Sequence, residues 1–270
     1  METLNALTQY YNSYDEDSRL DSRRGQVEFL TTLRYIEKYL RPGMRVLEIG
    51  AATGRYSHYL ARRGYEVDAV ELVEHNIEIF KANTQPGEQI TVTQGNAKDL
   101  SAFEDNTYDI TLLLGPMYHL FTEEEKLRAL SEAIRVTKPG GLIYAAYCMG
   151  DASILLYGFG RGEIHNIIRD CMLDPVTFET FSRPWDIFEL VRKEDIDALR
   201  GHFNVTQLHF LATDGYANHM RQTLQEMDED TYALYLRYHF ATCERVDLLG
   251  YSNHTLDIFR KEDPHALTGI

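Results

Sequence analysis

Arg45-Val46-Leu47-Glu48-Ile49 is a short, mostly apolar run, and Gly50-Ala51-Ala52-Thr53-Gly54 follows it directly. The first segment reads as a strand and the second as a tight turn of small residues. Arg55–Arg63, with Tyr56, Tyr59 and Leu60 at helical spacing and Gly64 at its end, reads as a helix. A strand that enters a helix through such a turn is the opening unit of a parallel sheet.

The same unit repeats downstream. Tyr65–Glu71 reads as a strand, Glu74–Ala82 as a helix, and Ile90–Gln94 as a third strand. Tyr108–Leu114 is nearly all apolar, as a strand covered on both faces requires. Thr122 and Glu125 form a T-x-x-E helix start ahead of Leu127, Leu130 and Ile134. Pro139-Gly140-Gly141 is a turn before a fifth strand, Leu142–Cys148. Lys193–Leu199 reads as a helix, and Val205–Ala212 and Thr255–Arg260 as the last strands. The expected fold is α/β: a Rossmann-like, seven-stranded, mostly parallel sheet with helices on both faces.

Upstream, Phe29, Leu33, Ile36 and Leu40 mark an amphipathic helix ended by Pro42-Gly43, so residues 1–41 are expected to form an N-terminal helical cap on a domain spanning 42–270. Two stretches interrupt the alternation, at about 150–192 and 215–250. They read as helical insertions without sheet elements, either a lid over a pocket or a dimer interface.

Composition narrows the partners. The chain has 270 residues with 27 Lys+Arg against 42 Asp+Glu, a formal charge of −15. Such a surface disfavours nucleic acid and anionic membranes, although a local basic groove remains open. Cys148, Cys171 and Cys243 form no C-x-x-C pair and no ligand spacing, so neither a disulfide framework nor a metal is expected, and a cytoplasmic setting is the default. No run approaches the roughly 18 apolar residues of a membrane span. The acidic runs Asp15–Asp17, Glu123–Glu125 and Glu226–Asp230 read as solvated helix ends.

An open parallel sheet binds ligands beyond the C-terminal ends of its strands. The Gly50–Gly54 turn and Glu71, which ends the second strand, therefore read as a nucleoside site, with the Glu71 carboxylate accepting ribose hydroxyls. Without a ligand the turn is only a tight connection and Glu71 an exposed strand-end acid. A dinucleotide fingerprint, G-x-G-x-x-G, fails at Ala52 and Arg55, so a pyrophosphate meets a blocked approach. Glu48 repels phosphate and suits a sulfonium or ammonium, favouring S-adenosylmethionine over NAD.

At these residues the chain resembles the class I S-adenosylmethionine-dependent methyltransferases. Val46–Gly54 is similar to their E/D-x-G-x-G-x-G motif with Ala52 in place of the middle glycine. Glu71 matches the ribose ligand, Gly95-Asn96-Ala97 the G-D-A after the third strand, Asp109–Leu120 the fourth motif, and Arg135–Ile143 the lead into the fifth strand. Leu114-Gly115-Pro116-Met117-Tyr118-His119-Leu120 resembles, more narrowly, a bacterial group with Gly-Pro-x-Tyr-His after the fourth strand. The resemblance implies S-adenosyl-L-methionine held by Glu48, Gly50, Ala52, Gly54, Arg55, Tyr56, Glu71, Leu72, Asn96, Ala97, Leu114 and Gly115. The fourth motif is not [DNS]-P-P-[YF], which lowers the case for methylation of exocyclic base or glutamine nitrogens.

His119, Tyr118 and Tyr14 are the catalytic candidates, and Tyr11, Tyr14 and His119 are expected to face the acceptor. His119, just past the fourth strand, has an ordinary pKa near 6.5 that suits a general base; a hydrogen-bonded structural histidine is the equal alternative, and the tyrosines are alternatively plain packing residues. The expected function is methyl transfer to a small-molecule acceptor, by a monomer or homodimer. RNA or protein methylation, or cofactor binding without catalysis, are the alternatives.

Overall fold

The computed structural model describes residues 2–263; Met1 and residues 264–270, the extreme ends of the expected cap and domain, lie outside the described residues. Helix α1 (Glu2–Ser13) and helix α2 (Arg23–Tyr39) precede β1 (Arg45–Ile49), α3 (Arg55–Ala61), β2 (Glu66–Glu71), α4 (Glu74–Asn83) and β3 (Ile90–Gln94). Then follow β4 (Tyr108–Leu113), α5 (Glu123–Val136), β5 (Thr137–Met149), α6 (Gly150–Ser153), α7 (Ile164–Arg169), β6 (Leu190–Val191), α8 (Lys193–Gly201), β7 (Val205–Ala212), α9 (Arg221–Glu226), α10 (Glu229–Thr242) and β8 (His254–Lys261).

The main path of the sheet runs β3-β2-β1-β4-β5-β8-β7. Every pair from β3 to β5 is parallel, and β8 alone runs against its neighbours β5 and β7. The seven expected strands are these seven. An eighth, two-residue strand, β6, pairs in parallel with Cys148 and Met149 at the end of β5. It lies in the 150–192 insertion, which was read as free of sheet elements; two residues are too short for a periodic signal, and they extend β5 only where β4 has stopped.

Alternation along the strands assigns the two faces. Val46, Ile110, Leu112 and Tyr144 pack under α2 and α3 with Leu33, Ile36 and Leu60. Leu47, Ile49, Leu113 and Ile143 pack on the other face against Leu130 and Ala133 of α5 and Ile196 of α8. Ser22 caps α2 by accepting from Gly25 N, and Thr122 Oγ1 caps α5 by accepting from Glu125 N at 3.2 Å. The Pro139-Gly140-Gly141 turn is a bulge within β5: Tyr108 pairs with Thr137, yet Ile110 pairs with Leu142, and Gly140 has φ +79°.

Register brings Ile49, Glu71, Gln94 and Leu113 to one edge. From β1 the chain winds outward to β2 and β3, then returns to place β4 on the other flank. The crevice beyond β1 and β4 is thus the topological switch point, where open α/β sheets hold their ligands.

Candidate active site

At that crevice a cavity of about 370 Å³ opens over the turn after β1. The turn earns its small residues. Gly50 has φ +75°, and a Cβ there would lie 2.6 Å from the Pro116 ring; Ala52 takes the same left-handed region at φ +49°. Ala52 N and Val73 N, each at 2.8 Å, and Asn76 Nδ2 at 3.3 Å all donate to the Glu71 carboxylate, so one side chain ties the turn to the start of α4. Burial raises the Glu71 pKa while these bonds oppose the shift. A carboxylate offers about four acceptor positions. These bonds take three of them.

Glu48 lies inside, 2% exposed, and accepts a hydrogen bond from Ser57 Oγ of α3. Burial pushes its carboxyl up to about 8, against the pull of the Ser57 bonds. Asn96 Oδ1 accepts from Lys98 N at 3.0 Å, and the residue lines the cavity. Thr53 Oγ1 is buried in the cavity wall without a hydrogen-bond partner among the described residues.

Of the expected cofactor residues, Glu48, Gly50, Ala52, Arg55, Tyr56, Glu71, Leu72, Asn96, Ala97, Leu114 and Gly115 all line this cavity. Gly54 does not. It sits beneath the turn at φ +87°, its Cα facing the Phe80 ring, and shapes the cavity from behind. The Arg55 guanidinium turns aside to Asp21 at 2.8 Å and over the Phe29 ring.

A second cavity of about 590 Å³ adjoins the first. Tyr11, Glu16, Arg19 and Tyr118 line both. Its other walls include Tyr157, Phe181 and Phe188 of the 150–192 segment, Arg24 of α2, and Asn218, Arg221 and Asn253. Tyr14 faces this second cavity alone, stacked on Tyr10 at 5.2 Å.

His119 lines the first cavity beside Tyr11 and Tyr118, with both ring nitrogens engaged. Its Nδ1 lies 2.8 Å from the Ile187 carbonyl, which only accepts, so Nδ1 carries the proton; Nε2 therefore accepts from the Tyr11 hydroxyl at 2.9 Å. Burial pushes the imidazole down to about 4, against the Ile187 bond, and pushes the Tyr11 phenol well up. A neutral histidine receiving a protonated tyrosine is an arrangement that fixes Tyr11. Tyr118 donates to Leu114 O at 2.9 Å.

Sequence reasoning missed Glu16 and Arg19. Glu16, read as part of a solvated run, is largely buried and accepts from Arg19 Nε at 2.8 Å, while Arg19 grips Glu28 with both terminal nitrogens. The Glu-x-x-Arg spacing is the signal that could have found the first pair. Beside them Asp214 receives His254 Nδ1 at 2.8 Å; burial opposes charge on His254, but Cys148, Glu28 and Asp214 more than offset it and raise its pKa. Glu28, Asp214 and His254 thus converge as an ion-pair network centred on Arg19 and His254.

Residues 46–141 match the family described as a methyltransferase domain. This stretch of the chain is a methyltransferase domain. The match runs from β1 to the start of β5, the stretch that builds most of the first cavity. Over 106 residues the chain is 31% identical to the S-adenosyl-L-methionine-dependent Diels-Alderase of Talaromyces variabilis, covering 38% of this chain and 35% of that protein. It is 35% identical over 106 residues to the demethylmenaquinone methyltransferase of Renibacterium salmoninarum, covering 39% and 41%. The chain thus spans well under half the length of these curated relatives. The crystal structure of a methyltransferase from Thermotoga maritima, described as a possible histamine N-methyltransferase, covers 96% of this chain and all of that one at 18% identity, with a TM-score of 0.57. Outside the methyltransferase domain the likeness is one of fold. No helix among the described residues is long and apolar enough to cross a membrane.

Proposed function

We propose that this chain transfers a methyl group from S-adenosylmethionine to a small-molecule acceptor. The observation that carries the reading is the pair of cavities meeting at Tyr11, Glu16, Arg19 and Tyr118: one is built on strand ends, the other walled by the inserted segments. A site open at one junction suits transfer of a small group between two enclosed ligands.

The first cavity fits the cofactor by its donor set. Glu71 faces the ribose, Asn96 the adenine, and Glu48 the cationic end, while the orphan Thr53 hydroxyl adds a buried donor and acceptor. When bound, S-adenosylmethionine supplies a methyl group on a positively charged sulfur that departs neutral. The protein's part is positioning and exclusion of water, which in well-oriented systems is worth effective molarities of about 10⁵ M or more. Tyr11, held by His119, presents its phenol oxygen lone pairs at the junction and orients the acceptor there. His119 thereby acts as a positioning residue, neutral at physiological pH. Helix α1, with the segments around 150–192 and 215–250, closes the acceptor side as a cap and lid.

Incubation with methyl-labelled S-adenosylmethionine and a small-molecule extract tests the reading. Label in a small product is the expected result; label confined to RNA or protein, or none, defeats it. In parallel, Glu71→Ala should weaken S-adenosylhomocysteine binding by about 1–3 kcal/mol, the scale of a hydrogen bond to a charged group, read by calorimetry. A second reading, cofactor-dependent catalysis without methyl transfer, draws on the relative named a Diels-Alderase. It predicts tight cofactor binding with no labelled product.

A further inference from the structure

The second cavity carries a charge arrangement that cofactor binding does not use. Arg24 Nη1 and Arg221 Nη2 both donate to one atom, Asn218 Oδ1, each at 2.9 Å. Asn218 is buried and anchored from behind, its Nδ2 donating to Asp214 Oδ2 at 2.6 Å. Two guanidinium groups are therefore drawn together on a neutral amide oxygen, and neither has a carboxylate partner among the described residues. In a chain with 42 acidic side chains, half-buried Arg24 and exposed Arg221 thus stand side by side without a counter-charge. The acids nearest this cavity are already committed: Glu16 and Glu28 to Arg19, Asp214 to His254, and Asp186 to Arg183.

The other polar feature points the same way. Asn253 Oδ1 is buried in the cavity wall with no hydrogen-bond partner among the described residues, an arrangement that calls for a donor from a ligand. The rest of the wall is broad and aromatic, with Tyr10 stacked on Tyr14 and Phe188 edge-on to Tyr10.

Resting on the proposed methyl transfer, we propose that the acceptor is an aromatic small molecule bearing a carboxylate, which Arg24 and Arg221 bind together. Each guanidinium keeps donors to spare beyond its bond to Asn218, and a planar carboxylate between them accepts from both while relieving their repulsion. The aromatic walls take the ring, and Asn253 takes a hydroxyl or amine on it. The carboxylate is a handle, not the methylated atom, and remains in the product.

The test uses the full chain saturated with S-adenosylhomocysteine. Benzoate, 2-naphthoate and 9-anthracenecarboxylate are each titrated beside their primary amides, which keep the shape and lose the charge. At least one carboxylate should bind about ten- to a hundred-fold more tightly than its amide, the range of hydrogen bonds between charged groups. Arg24→Gln and Arg221→Gln should each erode that preference, and the double variant abolish it, with affinity for S-adenosylhomocysteine and the melting temperature retained. Arg24→Lys, which keeps the charge, should restore part of it and guards against a mere packing defect. Amides binding as well as carboxylates, no probe binding at all, or a preference that survives the double substitution overturns the proposal. Failure of the wild-type chain to bind S-adenosylhomocysteine overturns instead the reading on which it rests.

Discussion

Glu48 is a carboxyl group placed where it cannot comfortably be charged. In the unfolded chain it titrates near 4.5, and in the folded protein burial lifts it to about 8, with Ser57 pulling the other way. A raised folded value means that its contribution to stability is complete below the unfolded pKa and is lost as pH rises through about 8. A cationic ligand reverses the preference by favouring the ionised form. Binding of S-adenosylmethionine at pH 7 should therefore release close to one proton, seen as a calorimetric enthalpy that differs between phosphate and Tris buffers by the difference in their ionisation heats. Glu48→Gln should remove the difference. Equal enthalpies in the two buffers for the wild-type chain would mean that Glu48 does not meet the cation.

At the level of the element, the turn between β1 and α3 shows what small residues are for. Gly54 at φ +87° leaves no space on its Phe80 side: an added Cβ would lie 2.5 Å from that ring and 2.8 Å from His58. Gly54→Ala combines the left-handed penalty of about 1–2 kcal/mol with about 1–3 kcal/mol of overpacking. Its urea midpoint should fall accordingly, by about 2–5 kcal/mol of stability; an unchanged midpoint would show that the turn yields freely. This element was legible because strand, turn and helix each leave a local pattern, and Glu48, Gly50, Glu71 and Asn96 lie at or just past strand ends that such patterns locate. The second cavity was not. Arg24, the Asn218–Arg221 pair and His254 lie far apart in sequence, and only the return of β8 beside β5 and the packing of α2 against α9 unite them. The Glu16–Arg19 pair was hidden for another reason: an acidic run looks solvated until helix α1 and the Arg19–Glu28 bond bury it.

For the whole molecule, the −15 charge and the small second cavity bear on the same choice. A polyanion approaching this surface meets repulsion that low salt strengthens, and the arginines on the cavity wall are too few to form a phosphate-tracking groove. A small ligand that enters both cavities instead ties β1 and β2 to the inserted segments and stabilises the folded chain by mass action. S-adenosylhomocysteine at a hundredfold excess over its dissociation constant contributes about 2.7 kcal/mol. At roughly 2 °C per kcal/mol for a chain of this size, the melting temperature should rise by about 5 °C. Bulk tRNA at equal mass concentration and low salt should leave it unchanged. A rise with tRNA that disappears on adding salt would place the acceptor among nucleic acids after all, because only a phosphate-contacting surface loses its affinity in that way.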